Sequence, residues 1–342
     1  MRPLHCSCGQ GVFCNNTHCF NCNRTLGFDP KTLEMHCVQT AADGVLRDDR
    51  GIEYQLCANR KNYQVCNGLV PLTGQSGPHL LCSTCELNRT IPIVERPENL
   101  LRWQRLEDAK RRMIAGLAAL GLQVGKGNNN SSGPMRFDFM EDQRSHPDVL
   151  EEFVSTGHEN GLITINLMEA DEVKRVQQRE WAGERQRTLL GHFRHESGHY
   201  FFEQLIGDGV EFSRLFGDQR APYGQALSRY YENGPVSNWG LNFISAYASS
   251  HPMEDWAECF AHVLHIHDAL ETATAYGLFK AQTGDGEWVE SLEQWGNLVV
   301  ALNEINRSLG VRDPYPFFLN DTVMAKMNFI KQTIAKLTVD RV

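Results

Sequence analysis

Apolar residues set the first division of the chain. Leu100, Leu101, Trp103, Leu106, Met113, Ile114 and Leu117 recur at steps of three and four with charges between them, which predicts an amphipathic helix ending near Gly121. Two short runs follow, Met135 to Met140 and Gly161 to Leu167, and both predict strands. From Glu169 onward the pattern is mostly helical, with breaks at Gly207 to Gly209, Gly217 to Pro222, Gly234-Pro235, His251-Pro252 and Asp313 to Pro316. Residues 88–97 hold two prolines and no helical period, so they read as an extended connector, and Gly125 to Gly133 reads as a flexible loop. The longest apolar run, near Met113 to Leu122, falls far short of the ~20 residues that span a bilayer.

Before residue 88 the punctuation is cysteine. Ten of the 11 cysteines precede residue 90, and only Cys259 lies beyond it. A boundary near residue 95 is therefore expected, dividing a cysteine-rich region at 1–95 from a mostly helical domain at 96–342. Charge divides there too. Residues 1–95 carry 8 basic and 8 acidic side chains, so the net −9 of the 342-residue chain belongs wholly to the second part. That balance argues against a protein that coats nucleic acid or anionic lipid. The amino terminus leads into cysteines and not into an apolar export segment, so a cytoplasmic location is expected.

Cys6-Ser7-Cys8 and Cys19-Phe20-Asn21-Cys22 form one cluster; Cys57, Cys66 and Cys82-Ser83-Thr84-Cys85 form a second, looser one. Two close pairs let two turns converge four thiolates on one ion, as in a structural zinc site. The short Cys6-x-Cys8 step leaves the register open, with His5 or Cys14 as substitute ligands. A disulfide framework is the alternative, but nothing in the sequence points to an oxidising compartment. Cys14, Cys37 and Cys259 read as small buried residues. A segment with so few large apolar residues would be marginal on its own core, so the metals are expected to supply much of its folding free energy.

The chemistry centres on His195-Glu196-Ser197-Gly198-His199. On a helix the two histidines fall one turn apart on one face, close enough to share an ion, and Glu196 stands beside them. This is the pattern in which zinc acidifies a water and the glutamate takes its proton. Two histidines leave the site short of a ligand. The best supplier is the stretch from Tyr247 to His265, where Pro252 suits a helix start and Glu254 and Glu258 lie one turn apart on one face. One of them can ligate while the other orients a ligand histidine. His262 and His265 are alternative ligands, and Asp255 reads as a helix-start charge or a supporting partner.

These residues resemble the gluzincin metallopeptidases, anthrax toxin lethal factor among them. In those proteins the histidine-glutamate-x-x-histidine helix is followed by a tyrosine, then seven residues on by a ligand glutamate, then four further on by a second glutamate; Tyr247, Glu254 and Glu258 stand at those spacings. The likeness implies Glu254 as third ligand, Tyr247 as the phenol that stabilises the oxyanion, and Glu258 as the support of a ligand. Over nearly its full length the chain also resembles a bacterial family that joins a zinc ribbon to a zinc-binding metallopeptidase domain. The likeness is carried by Leu-Asn-Arg-Thr-Ile-Pro at 87–92, Arg-Phe-Asp-Phe at 136–139, Leu-Leu-Gly-His-Phe-Arg-His-Glu at 189–196 and His-Pro-Met-Glu-Asp-Trp-Ala-Glu at 251–258. Cys6-x-Cys8 and Cys14 depart from that family's usual residues.

The expectation is an α+β protein with a double zinc-ribbon-like part and a zincin-like metallopeptidase domain. Three zinc ions are expected: one catalytic at His195, His199 and Glu254, and two structural at Cys6/Cys8/Cys19/Cys22 and Cys57/Cys66/Cys82/Cys85. The substrate would be a peptide or protein, with a protein partner at the ribbons and neither nucleic acid nor membrane involved. Two rivals stand beside it: a ribbon-based binding or regulatory protein whose helical-domain metal is inert, and a zinc hydrolase of a non-peptide bond.

Overall fold

A computed structural model describes residues 3–72, 80–124, 133–182, 184–206, 209–280 and 287–339. The chain is α+β, its strands confined to the first half. Strands β1 (Leu4–His5) and β2 (Gly11–Val12) form a two-stranded ribbon. A five-stranded antiparallel sheet follows in chain order: β3 (Thr25–Asp29), β4 (Glu34–Thr40), β5 (Leu46–Arg47), β6 (Glu53–Leu56) and β7 (Leu69–Pro71), with the short helix α1 (Ala58–Tyr63) between the last two. Next come β8 (Asn88–Thr90), the long helix α2 (Pro97–Ala119), β9 (Arg136–Met140), β10 (Gly157–Glu159) and β11 (Leu162–Asn166). The last sheet has the order β10-β11-β9-β8, with β9 parallel to both of its neighbours. The remainder is helical: α3 (Glu172–Ala182), α4 (Leu189–Leu205), α5 (Val210–Phe216), α6 (Tyr223–Asn233), α7 (Pro252–Ala275), α8 (Glu287–Ser308) and α9 (Asp321–Val339).

The periodic helix and both strands appear where the pattern puts them, and the named breaks separate helices. Residues 125–132 of the expected loop, and Gly207 and Asp208 within one break, lie outside the described residues. The connector is extended, but its first three residues are sheet. Asn88–Thr90 is too short and polar to show a strand period; it pairs through its main chain and is fixed by side chains, with Arg89 on Asp138 of β9 and the Asn88 amide donating to Glu107 of α2 at 2.6 Å.

Two compact units emerge, Met1–Gly127 with Gly133–Gln177, and Gln178–Val342 with Asn128–Ser132. This division is distinct from the change in composition near residue 95. In the first unit α2 buries Trp103, Leu106, Met113, Ile114 and Leu117, the sheet buries Phe137, Phe139, Ile163 and Ile165, and Lys110 of α2 lies over the Phe137 and Phe139 rings of that core. That core also buries charge. Lys110 and Glu107 are wholly enclosed and paired at 2.9 Å, and the Trp103 indole N–H donates to Glu107 at 3.0 Å. Such a pair adds little net stability, but removing one partner strands a buried charge at a cost of about 3–5 kcal/mol.

In the second unit α4 crosses α7. Thr188 caps α4 by accepting the Gly191 N–H, and α7 opens with Pro252 after the cap His251. The crossing is close because residue 198 is glycine: a Cβ there would stand 2.9 Å from the Ala257 Cα. The Trp256 indole N–H donates to the Gly198 carbonyl at 2.9 Å across the same contact, and Phe202, Phe212, Phe216, Phe260 and Phe329 pack about that indole. No helix among the described residues is long and apolar enough to cross a membrane.

Candidate metal centres

Three groups of ligand atoms converge among the described residues: Cys6/Cys8/Cys19/Cys22, Cys57/Cys66/Cys82/Cys85 and His195/His199/Glu254. In the first, the Cys6 and Cys22 sulfurs are 3.6 Å apart and those of Cys8 and Cys19 are 3.7 Å apart. Sulfurs held tetrahedrally about 2.3 Å from zinc stand roughly 3.8 Å from one another, whereas a disulfide needs about 2.05 Å. The geometry fits an ion and no disulfide is present. The structure groups Cys6 and Cys8 with the Cys19 knuckle. Cys14 instead lies buried with Phe28 and Ala115, and His5 pairs through its main chain with Gly11. Cys8 and Cys22 face solvent.

The second group is enclosed. All four cysteines are buried, and the Cys82 N–H donates to the Cys57 sulfur at 3.3 Å. Gly68 closes one side: a Cβ there would lie 2.4 Å from the Cys82 sulfur. Glu107 of α2 reaches within 4.0 Å of Cys85. One helical turn on, Arg111 is buried with its Nε and one terminal nitrogen unpartnered. Burial would lower its pKa, yet the neighbouring Cys66 and Cys82 hold it above the ordinary value. A zinc ion with four thiolates carries two net negative charges, and a buried guanidinium with donors to spare suits that surplus.

The third group joins α4 to the start of α7. His195 Nε2 is 3.1 Å from His199 Nε2 and 3.0 Å from Glu254 Oε2, which is 3.4 Å from His199 Nε2. Ligands about 2.0–2.2 Å from a tetrahedral zinc stand roughly 3.3–3.6 Å apart. Glu254 Oε2 is buried with no hydrogen bond, and the three atoms face one another where a metal ion could sit. Burial works against a charge on His195, but Glu254 and Glu258 outweigh it and hold that imidazole's pKa well above its usual value. Glu258 accepts from His195 Nδ1 at 2.8 Å and from the Ser245 hydroxyl at 2.6 Å. Burial would raise its carboxyl pKa; His195, His262 and Ser245 overcome that and bring it down to about 2.

Glu196 is buried beside the histidines, and its charge bears on Tyr223 and Tyr247. The Tyr247 ring centroid is 6.0 Å from that of His195, and burial followed by the Glu254 charge keeps its phenol protonated. His262 and His265 are turned elsewhere. His262 meets the Tyr315 hydroxyl at 2.8 Å and His265 meets Arg194 at 2.7 Å. Asp255, in the first turn of α7, forms a buried ion pair with Lys326 of α9 at 2.5 Å. Three neighbours escaped the sequence reading: Ser245 on Glu258, His251 as the α7 cap, and Tyr223, whose hydroxyl donates to Glu254 Oε1. Each reaches the site from a loop or a helix end, where no periodicity marks it.

A family model described as "Putative zinc-binding metallo-peptidase" matches residues 99–333, and one described as a zinc-ribbon domain matches residues 3–96. The chain belongs to this zinc-binding metallopeptidase family. Proteins of Mycobacterium tuberculosis and Mycobacterium bovis, each entitled an uncharacterized protein, are 40% identical to it over 99% of this chain and 97% of their own length. No solved structure matches. Zinc, expected from the cysteine and histidine spacings, is thus also what both family models name.

Proposed function

We propose that the protein is a zinc metallopeptidase of the gluzincin type, with one catalytic ion at His195, His199 and Glu254 and two structural ions at the cysteine clusters. The observation that carries this reading is the convergence of three donors beside Glu196, a carboxylate that is not one of them. A structural site has no use for it. Zinc held there would supply a Lewis acid that acidifies water and polarises a scissile carbonyl.

The chain's own residues account for the remaining steps. Glu196 accepts a proton from the attacking water and returns it to the departing amine. Tyr247 keeps its proton and donates a hydrogen bond to the developing oxyanion. Glu258, itself held by Ser245, fixes the orientation of His195 through Nδ1. A peptide or protein is the substrate. The free thiols, grouped for metal and not bridged, favour a reducing compartment and hence the cytoplasm. Exposed Phe13 and Phe20 flank the first cysteine cluster and offer a protein partner a surface; the neutral charge of that region speaks against nucleic acid.

The test is incubation of a cell lysate with the wild type and with Glu196→Gln, followed by identification of new amino termini. Glu196→Gln is expected to lose roughly 10²- to 10⁴-fold in cleavage while retaining its zinc. Equal patterns from the two proteins would favour the inert-metal reading.

A further inference from the structure

Glu254 is bound differently at its two oxygens. Oε2 faces the Nε2 atoms of His195 and His199 and has no hydrogen-bond donor, while Oε1 accepts from the Tyr223 hydroxyl. A carboxylate with both oxygens free can bind an ion through one or through both. Bound through both, it would fill a four-coordinate site together with two imidazoles and leave no place for water or a carbonyl oxygen.

We propose that Tyr223 is a positioning residue that holds Glu254 to one-oxygen ligation and so keeps the metal centre open. The inference rests on the metallopeptidase reading and adds a residue to it. Tyr223 is the first residue of α6, a helix with no buried side chain, set between Gly217 and Gly234. Its place is fixed from α7. His251 Nδ1 accepts the Met253 N–H at 3.1 Å, so its proton sits on Nε2, which donates to the Ala221 carbonyl at 3.0 Å. The same imidazole stands edge-on to the Tyr223 ring with centroids 5.1 Å apart. One residue therefore caps the helix that carries Glu254 and anchors the chain that delivers the phenol to it. Tyr223 is 41% exposed, which places it at the rim of the centre and not in the core.

The test is Tyr223→Phe in the full-length zinc protein. The loosely held ion is removed with dipicolinate and replaced by cobalt, and the visible spectrum is recorded. Without the phenol, Oε1 is free to bind in the place of water, and the cobalt d–d bands change in position and intensity. Peptide cleavage, where measurable, falls about tenfold, mainly in kcat. Identical cobalt spectra for wild type and Tyr223→Phe would overturn the proposal. Failure of the wild type to take up cobalt at this site would instead count against the metallopeptidase reading on which it rests. Tyr247→Phe is the control and leaves the spectrum unchanged, because Tyr247 acts on the substrate and not on Glu254.

Discussion

In the second cysteine cluster every donor is a sulfur and every donor is buried, with Gly68 pressed against Cys82 and Arg111 one helical turn from Glu107. At the histidine cluster three donors converge, both imidazoles are partly exposed, and Glu196 and two tyrosines stand near. The two groups of donors thus have opposite surroundings. At the second cysteine cluster, where four sulfurs meet, the protein closes over them. Where the set stops at three, the protein spends its hydrogen bonds on the donors themselves, Glu258 on His195 and Tyr223 on Glu254, so that they stay aimed while one side remains open. On the proposed reading, closure serves the fold and restraint of the ligands serves chemistry.

The largest effect that separates the two regions is metal loss. Cys66→Ser is expected to lose the buried ion and with it folding free energy on the order of 10 kcal/mol, read as loss of cooperative thermal unfolding in the first unit. His199→Ala should lower the zinc content by one ion and leave that transition in place. Equal damage from both would end the distinction.

Acid offers a second way to sharpen it. Burial brings His262 down to about 4 from an ordinary 6.5, so the native state resists its protonation. The stability it contributes is complete above pH 6.5 and is lost as pH falls towards 4, by about 3 kcal/mol in all. His262→Gln keeps a partner for Tyr315 without titrating, so denaturant midpoints compared at pH 7 and pH 4.5 should fall less for the variant than for the wild type.

Gly198→Val tests the helix crossing. The added methyls meet the Ala257 backbone and should cost about 2 kcal/mol, with loss of the histidine-site ion and retention of both cysteine-site ions by elemental analysis. Ser245→Ala is the mildest. Glu258 loses one hydrogen bond worth about 1 kcal/mol, and competition with a chelator should show zinc at the histidine site held roughly tenfold more weakly.

What could be read in advance follows the regularity of helices. The steps from His195 to His199 and from Glu254 to Glu258 translate directly into one face of a helix, so each pair was legible in the sequence, whereas the choice of Glu254 as the third donor rested on the resemblance. The two helix breaks around α6 were equally visible as glycine and proline. Tyr223, Ser245 and His251 were not, because their contacts depend on how loops return to the start of α7, and no period records that. The strands from Thr25 to Pro71 were hidden for another reason. They are short, and cysteines and turns interrupt any alternation, so the cysteine spacing was legible while the sheet that carries it was not. At residues 88–90 the pattern read only as extended, since a three-residue polar strand is defined by its partner and not by its own side chains.

That small strand decides where the polypeptide can be divided. A fragment beginning at residue 96 would lose β8, leaving one edge of β9 open to pairing with other chains, Asp138 without Arg89, and buried Glu107 without Asn88. A fragment ending at residue 95 would lack Glu107 and Arg111 and would open the second cysteine cluster to water. A cut at that boundary would therefore leave each piece without partners that its buried groups now have. All of these partners lie within the compact unit whose last residue is Gln177.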